Sequence, residues 1–211
     1  MSDTLSFLHA VLPATGPYVV ASIGSYTTHL IASTIAEVEQ LGWAQTTRNR
    51  DAYFLIGSVN DGTITKGLRA ATNICALRAL RVDLDCGEGK PYPDQAAAAA
   101  ALMELMRKNW LPQAWVVNSG YGFHVYWPLE DELDVTAWQH LADRFYLYLK
   151  DVCQLQVDHT TTCDAARILR IPGTYNFKRG QQAPVTVQLV GGRSLSSAVW
   201  HNVFTQGGVT T

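Results

Sequence analysis

The sequence predicts a mixed α/β (α+β) chain, and three observations carry that prediction. Short apolar runs of strand length recur at 18–23, 53–56, 114–117 and 123–127. Between them lie segments with helical spacing, at 33–43, 95–110 and 134–152. Two of the strands are separated only by Asn118-Ser119-Gly120-Tyr121-Gly122, a turn-rich link that reads as a hairpin. With 211 residues the chain can form one large domain or two small ones around a sizeable core.

In chain order, residues 3–11 form a short helix stopped by Pro13, and Tyr18–Ile23 is a strand ended by Gly24. Ile35, Val38 and Leu41 give the next segment a helical apolar spacing, with Gly42 near its end. A strand at 53–56 leads to a loop at 60–67. Arg81-Val82-Asp83-Leu84-Asp85, after Ala79 and Leu80, reads as the end of a buried strand. Gly87 to Pro91 is a turn, and Asp94 caps an alanine-rich helix that runs to Trp110. After the hairpin, Asp134 or Thr136 caps a helix to about Val152, whose stripe of Leu141, Phe145, Tyr148, Leu149 and Val152 faces the sheet. A strand at 185–190 closes the fold, and the tail 206–211 reads as disordered.

Composition excludes several classes. Hydrophobic residues make up 47% and charged residues 16%, as in a globular enzyme. A net charge of −2 gives no global pull toward nucleic acid, so any basic surface must be local. The stretch 48–81 is the candidate, with Arg48, Arg50, Lys66, Arg69, Arg78 and Arg81 against Asp51 and Asp61. It reads either as a solvated face or as a track for phosphates. Cys75, Cys86, Cys153 and Cys163 are far apart and contain no Cys-x-x-Cys pair. That argues for reduced cytosolic thiols, and against a disulfide framework or a structural zinc site. No apolar run approaches a membrane span, and the N-terminus lacks the basic region of a secretory signal.

Three segments carry chemistry. Alternation along a strand puts Asp83 and Asp85 on one face and Val82 and Leu84 in the core. Paired carboxylates repel unless something positive lies between them, and magnesium or manganese suits their hard oxygens. In Ser119-Gly120-Tyr121-Gly122-Phe123-His124 the glycines let backbone approach an anion, and His124 leaves the turn on a strand able to donate to a phosphate. Asp158 offers a third carboxylate, and the cations Arg167, Arg170, Lys178 and Arg179 could balance a triphosphate.

Taken in order, Asp-x-Asp, Ser-Gly-x-Gly-x-His, then Val-Asp followed by Arg-Ile-Leu-Arg-Ile-Pro-Gly-Thr-x-Asn-x-Lys resembles the archaeo-eukaryotic primase superfamily. Within it the pattern is similar to the primase-polymerase domains of phage and plasmid replication proteins. The resemblance spans 83–178, with a looser match through Lys66-Gly67-Leu68-Arg69 and Asn73. It implies an N-terminal α/β module, about 1–80, packed on a catalytic module like an RNA-recognition motif, about 81–205, with the active site between them. It implies Asp83, Asp85 and Asp158 as ligands of two Mg2+ or Mn2+ ions, with Asp164 the second choice for the third carboxylate. Ser119, Gly120, Gly122, His124, Arg170 and Lys178 would hold the nucleotide. The implied partners are a single-stranded DNA template and primer, nucleoside triphosphates, and a helicase domain or protein, in the cytoplasm of a bacterial or phage-infected cell. The expected activity is templated nucleotide addition. The alternatives are an untemplated nucleotidyltransferase and a non-catalytic replication-initiation module that binds DNA. The Cys/His zinc stem of several relatives has no counterpart, and these 211 residues leave no room for the further helical domain that many need to start primers, so primer extension is expected over synthesis from scratch.

Overall fold

The structure, a computed structural model, describes residues 2–60, 69–108 and 111–206. Helix α1 (Asp3–Val11) starts where the Ser2 hydroxyl accepts from Leu5 N. Strands β1 (Tyr18–Ile23) and β2 (Thr27–Ala32) form a hairpin. Helix α2 (Ile35–Thr46) is capped by Thr34, and β3 (Asp51–Val59) and β4 (Ile74–Asp85) follow. Helix α3 (Gln95–Lys108) begins after Asp94, whose carboxylate accepts from Ala97 N at 2.8 Å. Strands β5 (Trp115–Asn118) and β6 (Gly122–Leu133) are the predicted hairpin. Asp134 caps α4 (Val135–Leu147), which widens into a π turn over Tyr148–Val152. The remainder comprises α5 (His159–Thr162), β7 (Ile168–Arg170), β8 (Tyr175–Asn176), β9 (Ala183–Pro184), β10 (Thr186–Leu189) and α6 (Ser197–Gln206).

Eight strands form one antiparallel sheet, seven of them in the order β10–β5–β6–β4–β3–β1–β2 and the eighth, β7, beside β3. The junction of β3 and β4 makes the site. These strands pair only where Gly57–Val59 meets Ile74–Leu77. Toward Asp51 and Asp85 they part, and β7 pairs with β3 at Tyr53–Leu55 in the opening. The fork has the β1–β3 half on one side and the β4–β6 half on the other. Phe7 of α1 ties the halves together, meeting Phe54, Trp115 and Tyr126 edge-on at 4.9–5.9 Å between ring centres. Strand β4 runs through residue 80 without a break, so the sheet does not divide there.

Several expectations need correction. Helix α2 continues past Gly42 to Thr46, because the missing Cβ admits Ile171, whose Cδ1 would lie 2.8 Å from it. Strand β2 and helix α6 were not anticipated; α6 buries Trp200 and Phe204 against Phe145. On the stripe of α4, Leu141, Phe145, Tyr148 and Leu149 are buried but Val152 is 38% exposed. Strand β6 accommodates Pro128 at a register shift opposite Leu77–Ala79, where a ladder donor is not needed. Most of the loop 60–67, Trp110 and all but Gln206 of the tail lie outside the described residues.

Candidate active site

The fork encloses a cavity of about 480 Å3. Its acidic wall is Asp83 and Asp85 at the end of β4, with Val82 and Leu84 buried beneath as alternation requires. His124 stands beside Asp83 because β4 and β6 pair in the register Asp83 to His124 and Asp85 to Gly122. Its Nε2 lies 3.9 Å from Asp83 Oδ1. Burial, the largest cause, holds the His124 imidazole below its ordinary pKa; Arg170 and Arg167 add to this and Asp83 opposes it. That shift favours the neutral ring, which still carries one N–H able to donate to an anionic acceptor.

Five cations line the same cavity, Lys90, Arg167, Arg170, Lys178 and Arg179. Two of them already meet the acidic wall. Arg167 Nη2 donates to Asp83 Oδ2 at 3.3 Å, and Lys90 Nζ to Asp85 Oδ2 at 3.0 Å. Arg170 is held differently. Its two terminal nitrogens fork onto Asp51 at 2.7 and 3.2 Å, its guanidinium lies 4.6 Å over the Tyr53 ring, and Phe177 N donates to the same Asp51. Buried in that group, the Tyr53 phenol is pushed up to about 12, chiefly by burial. Lys178 and Arg179 are exposed, and the Arg179 guanidinium lies 4.2 Å over the Tyr121 ring.

Ser119 is buried and lines the cavity; its carbonyl accepts from Asn176 Nδ2 at 2.7 Å. The two glycines are each crowded by the protein's own atoms. Gly120 has φ +97°, and its amide donates to Asn118 Oδ1. A Cβ on Gly122 would lie 2.5 Å from the Leu84 carbonyl oxygen, so only glycine lets β6 approach β4 beside Asp85. Neither glycine lines the cavity, although Gly120 lines the adjoining depression with Tyr121 and Arg179.

Asp158 and Asp164 lie elsewhere. Asp158 is the N-cap of α5, and its Oδ1 accepts from Thr160 Oγ1 at 2.6 Å and Thr161 N at 3.2 Å. The Thr160 bond is the main reason its carboxyl sits below the usual range, and Arg167 contributes. It borders a separate depression with Pro91, Tyr146 and Lys150. Asp164 closes a turn onto Ala166 N, and its carbonyl accepts from Arg81. Among the described residues, the one set of three Asp, Glu, His or Cys ligand atoms within 4.8 Å of one another is Asp143, His159 and Cys163, outside the cavity.

The cationic stretch 48–81 does not form one surface. Arg81 is 1% exposed, lies 5.2 Å over the Trp138 ring, and is brought down to about 10 by burial. Arg50 is spent on Ser22 and the Tyr26 carbonyl, and Arg78 on the carbonyls of Leu129 and His9. Lys66 lies outside the described residues. Sequence reasoning missed Asp51 and Tyr53, which are distant from every motif and acquire their place through the β3–β7 register. It also missed Lys90 as the partner of Asp85, although a lysine in the turn just after the acids was a usable signal. Among the described residues no helix is long and apolar enough to cross a membrane.

No protein-family model and no curated protein matches the chain. Solved structures do resemble it. The AEP domain of cyanophage S-2L primase-polymerase matches with a TM-score of 0.61 and 17% identity, over 90% of this chain and 89% of that one. The catalytic domain of primase RepB′ in complex with initiator DNA matches with a TM-score of 0.57 and 17% identity, over 98% and 94%. A longer structure of primase RepB′ matches with a TM-score of 0.56 and 17% identity, over 97% of this chain and 62% of that one. At that identity the likeness is one of fold, and it agrees with the mixed α/β architecture and the antiparallel sheet. The chain therefore has the fold of the archaeo-eukaryotic primases.

Proposed function

We propose that the chain is a template-directed nucleotidyltransferase, a DNA primase or polymerase acting in phage or plasmid replication by two-metal catalysis. The observation that carries this reading is the gathering of Asp83, Asp85 and five cations around one cavity. The acids suit divalent metal, and the cations suit a polyphosphate. A binding site for a neutral ligand would have no use for either wall.

The donor set fits Mg2+ or Mn2+. Asp83 and Asp85 present hard oxygens on a rigid strand, and each already turns one oxygen to a cation in the cavity. Bound there, such ions would polarise the attacking and leaving oxygens of an in-line displacement. Asp158 is proposed as the third carboxylate; its Oδ1 takes the cap bonds of α5. The rest is positioning and charge balance by the chain itself. Lys178 and Arg179 meet the phosphates from the solvent side, Arg170 from the cavity wall, and Arg167 and Lys90 are freed as the acids change partners. The His124 ring and the Ser119 hydroxyl donate to phosphate oxygens. A single-stranded template, a primer and nucleoside triphosphates are the proposed partners, with a helicase domain or protein beside them.

The test is primer extension on a single-stranded DNA template with Mg2+ or Mn2+, run with and without primer. Templated incorporation that disappears in Asp83→Asn supports the reading. Incorporation indifferent to template sequence would favour an untemplated transferase. DNA binding with no incorporation would make the chain a replication-initiation module.

A further inference from the structure

We propose that Asp143, His159 and Cys163 form a second metal site, outside the cavity, for one transition-metal ion of the zinc class. His159 and Cys163 are four apart across the single turn of α5, which puts their side chains on one side. Asp143 reaches them from α4, against which α5 packs. All three ligand atoms lie within 4.8 Å of one another. His159 Nε2 is 3.2 Å from Asp143 Oδ1. Zinc bonds of about 2.0–2.1 Å to nitrogen and oxygen give a tetrahedral edge of about 3.3 Å, so this pair needs little movement to share an ion. One thiolate, one imidazole and one carboxylate form a mixed donor set that suits zinc and disfavours magnesium.

The surroundings hold the ligands in place. Gln139 Nε2 donates to Asp143 Oδ1 at 3.1 Å, and the Tyr146 ring meets the His159 ring edge-on at 4.9 Å. Such outer partners orient metal ligands. Cys163 is 5% exposed, whereas the His159 and Asp143 side chains are 54% and 44% exposed. An ion arriving from solvent therefore meets the imidazole and carboxylate first and the sulfur last. A fourth position stays open to water, as in three-ligand zinc sites.

The same residue types could instead make a nucleophilic Cys–His–Asp relay. A relay needs an accessible thiol with a depressed pKa. This thiol is buried and donates to the Ala142 carbonyl at 3.4 Å, with no path for a substrate to reach it except past His159 and Asp143. The expectation against zinc rested on the lack of paired cysteines and of the family's Cys/His stem, whereas here a single cysteine combines with His-x-x-x-Cys spacing and an acid from another helix. The ion would fasten α5 to α4 immediately beside Asp158, the cap of α5. This inference does not rest on the polymerase reading.

The test uses the full chain stripped of metal with a chelator and titrated with Co2+. The thiolate-to-cobalt charge-transfer absorption should saturate at one ion per chain, since any Co2+ held by Asp83 and Asp85 has no sulfur ligand and is silent in that band. His159→Ala, an exposed change that the fold tolerates, should weaken cobalt binding by more than about 100-fold, beyond what loss of an outer partner does. Cys163→Ser should remove the charge-transfer band, while Cys153→Ser and Asp83→Asn keep it. Zn2+ should raise the melting temperature of the wild type and not that of His159→Ala. A missing band at saturating Co2+, a band surviving Cys163→Ser, or equal zinc stabilisation of His159→Ala would overturn the proposal.

Discussion

Arg170 and Lys178 stand in one cavity with opposite attachments. Arg170 is 5% exposed and forked onto Asp51, whereas Lys178 is exposed. Lys178→Ala should therefore weaken nucleotide binding at least tenfold, the loss of one charge-assisted bond, and leave the melting temperature unchanged. Arg170→Ala should cost about 3–5 kcal/mol of stability, because it strands Asp51 as a buried unpaired charge. Denaturant melts and nucleotide titrations of the two variants check this; an unchanged stability for Arg170→Ala would make the ion pair dispensable. For the acids, Asp83→Asn and Asp85→Asn should each abolish incorporation and shift stability by less than about 1 kcal/mol, since both pairs are with partly exposed cations. Near wild-type extension by either variant would remove the metal from that wall. These acids were legible because strand alternation alone puts them on one face. Asp51 was not, because it lies 119 residues from Arg170 and nothing near it in the chain marks it.

At the scale of elements, two glycines make a contrast. The Cβ of Gly122→Ala would press on the Leu84 carbonyl oxygen, and backbone cannot step aside. The Cβ of Gly42→Ala would meet the Ile171 side chain and no backbone atom, so a side chain rather than a strand has to give. Gly122→Ala should therefore cost about 2–3 kcal/mol and lose activity through displacement of Asp85. Gly42→Ala should stay within about 1 kcal/mol, because better helix propensity offsets the crowding. Thermal melts and extension assays measure both, and a Gly42→Ala variant as damaged as Gly122→Ala would mean that Ile171 is fixed. The same pair shows what sequence reading reaches. Caps and periodicity announced α1, α3, α4 and the β5–β6 hairpin, since those signals are local. Gly42 looked like a helix end, because the reason for it, Ile171, comes from the far end of the chain. Strand β2 escaped notice since Thr27–Ala32 is half exposed at the sheet edge, without the apolar density of β1. Helix α6 follows a Gly-Gly pair, and only its packing on Phe145 gives Trp200 and Phe204 a purpose.

Across the whole molecule the basic residues divide into those that hold the fold and those free to meet a polyanion. Arg50, Arg78 and Arg81 belong to the first group. Substituting Arg48 and Arg69 together should flatten the salt dependence of single-stranded DNA binding by about 0.7 per lost phosphate contact. Arg50→Ala should instead loosen the β1–β2 turn and leave that slope alone. Anisotropy titrations at several salt concentrations decide it, and a slope that falls in Arg50→Ala would return that residue to the template path. The two walls of the cavity also differ in how they are anchored. Asp83 and Asp85 ride a twelve-residue strand deep in the main sheet, whereas Lys178 and Arg179 sit in a turn closed by the two-residue strands β8 and β9. Amide hydrogen exchange should separate them by orders of magnitude, with the β4 amides bonded to β6 opening only on global unfolding and those of 177–182 opening locally. A polyphosphate could then be admitted and released by the breathing of one short ribbon, on a timescale independent of the strand that carries the acids.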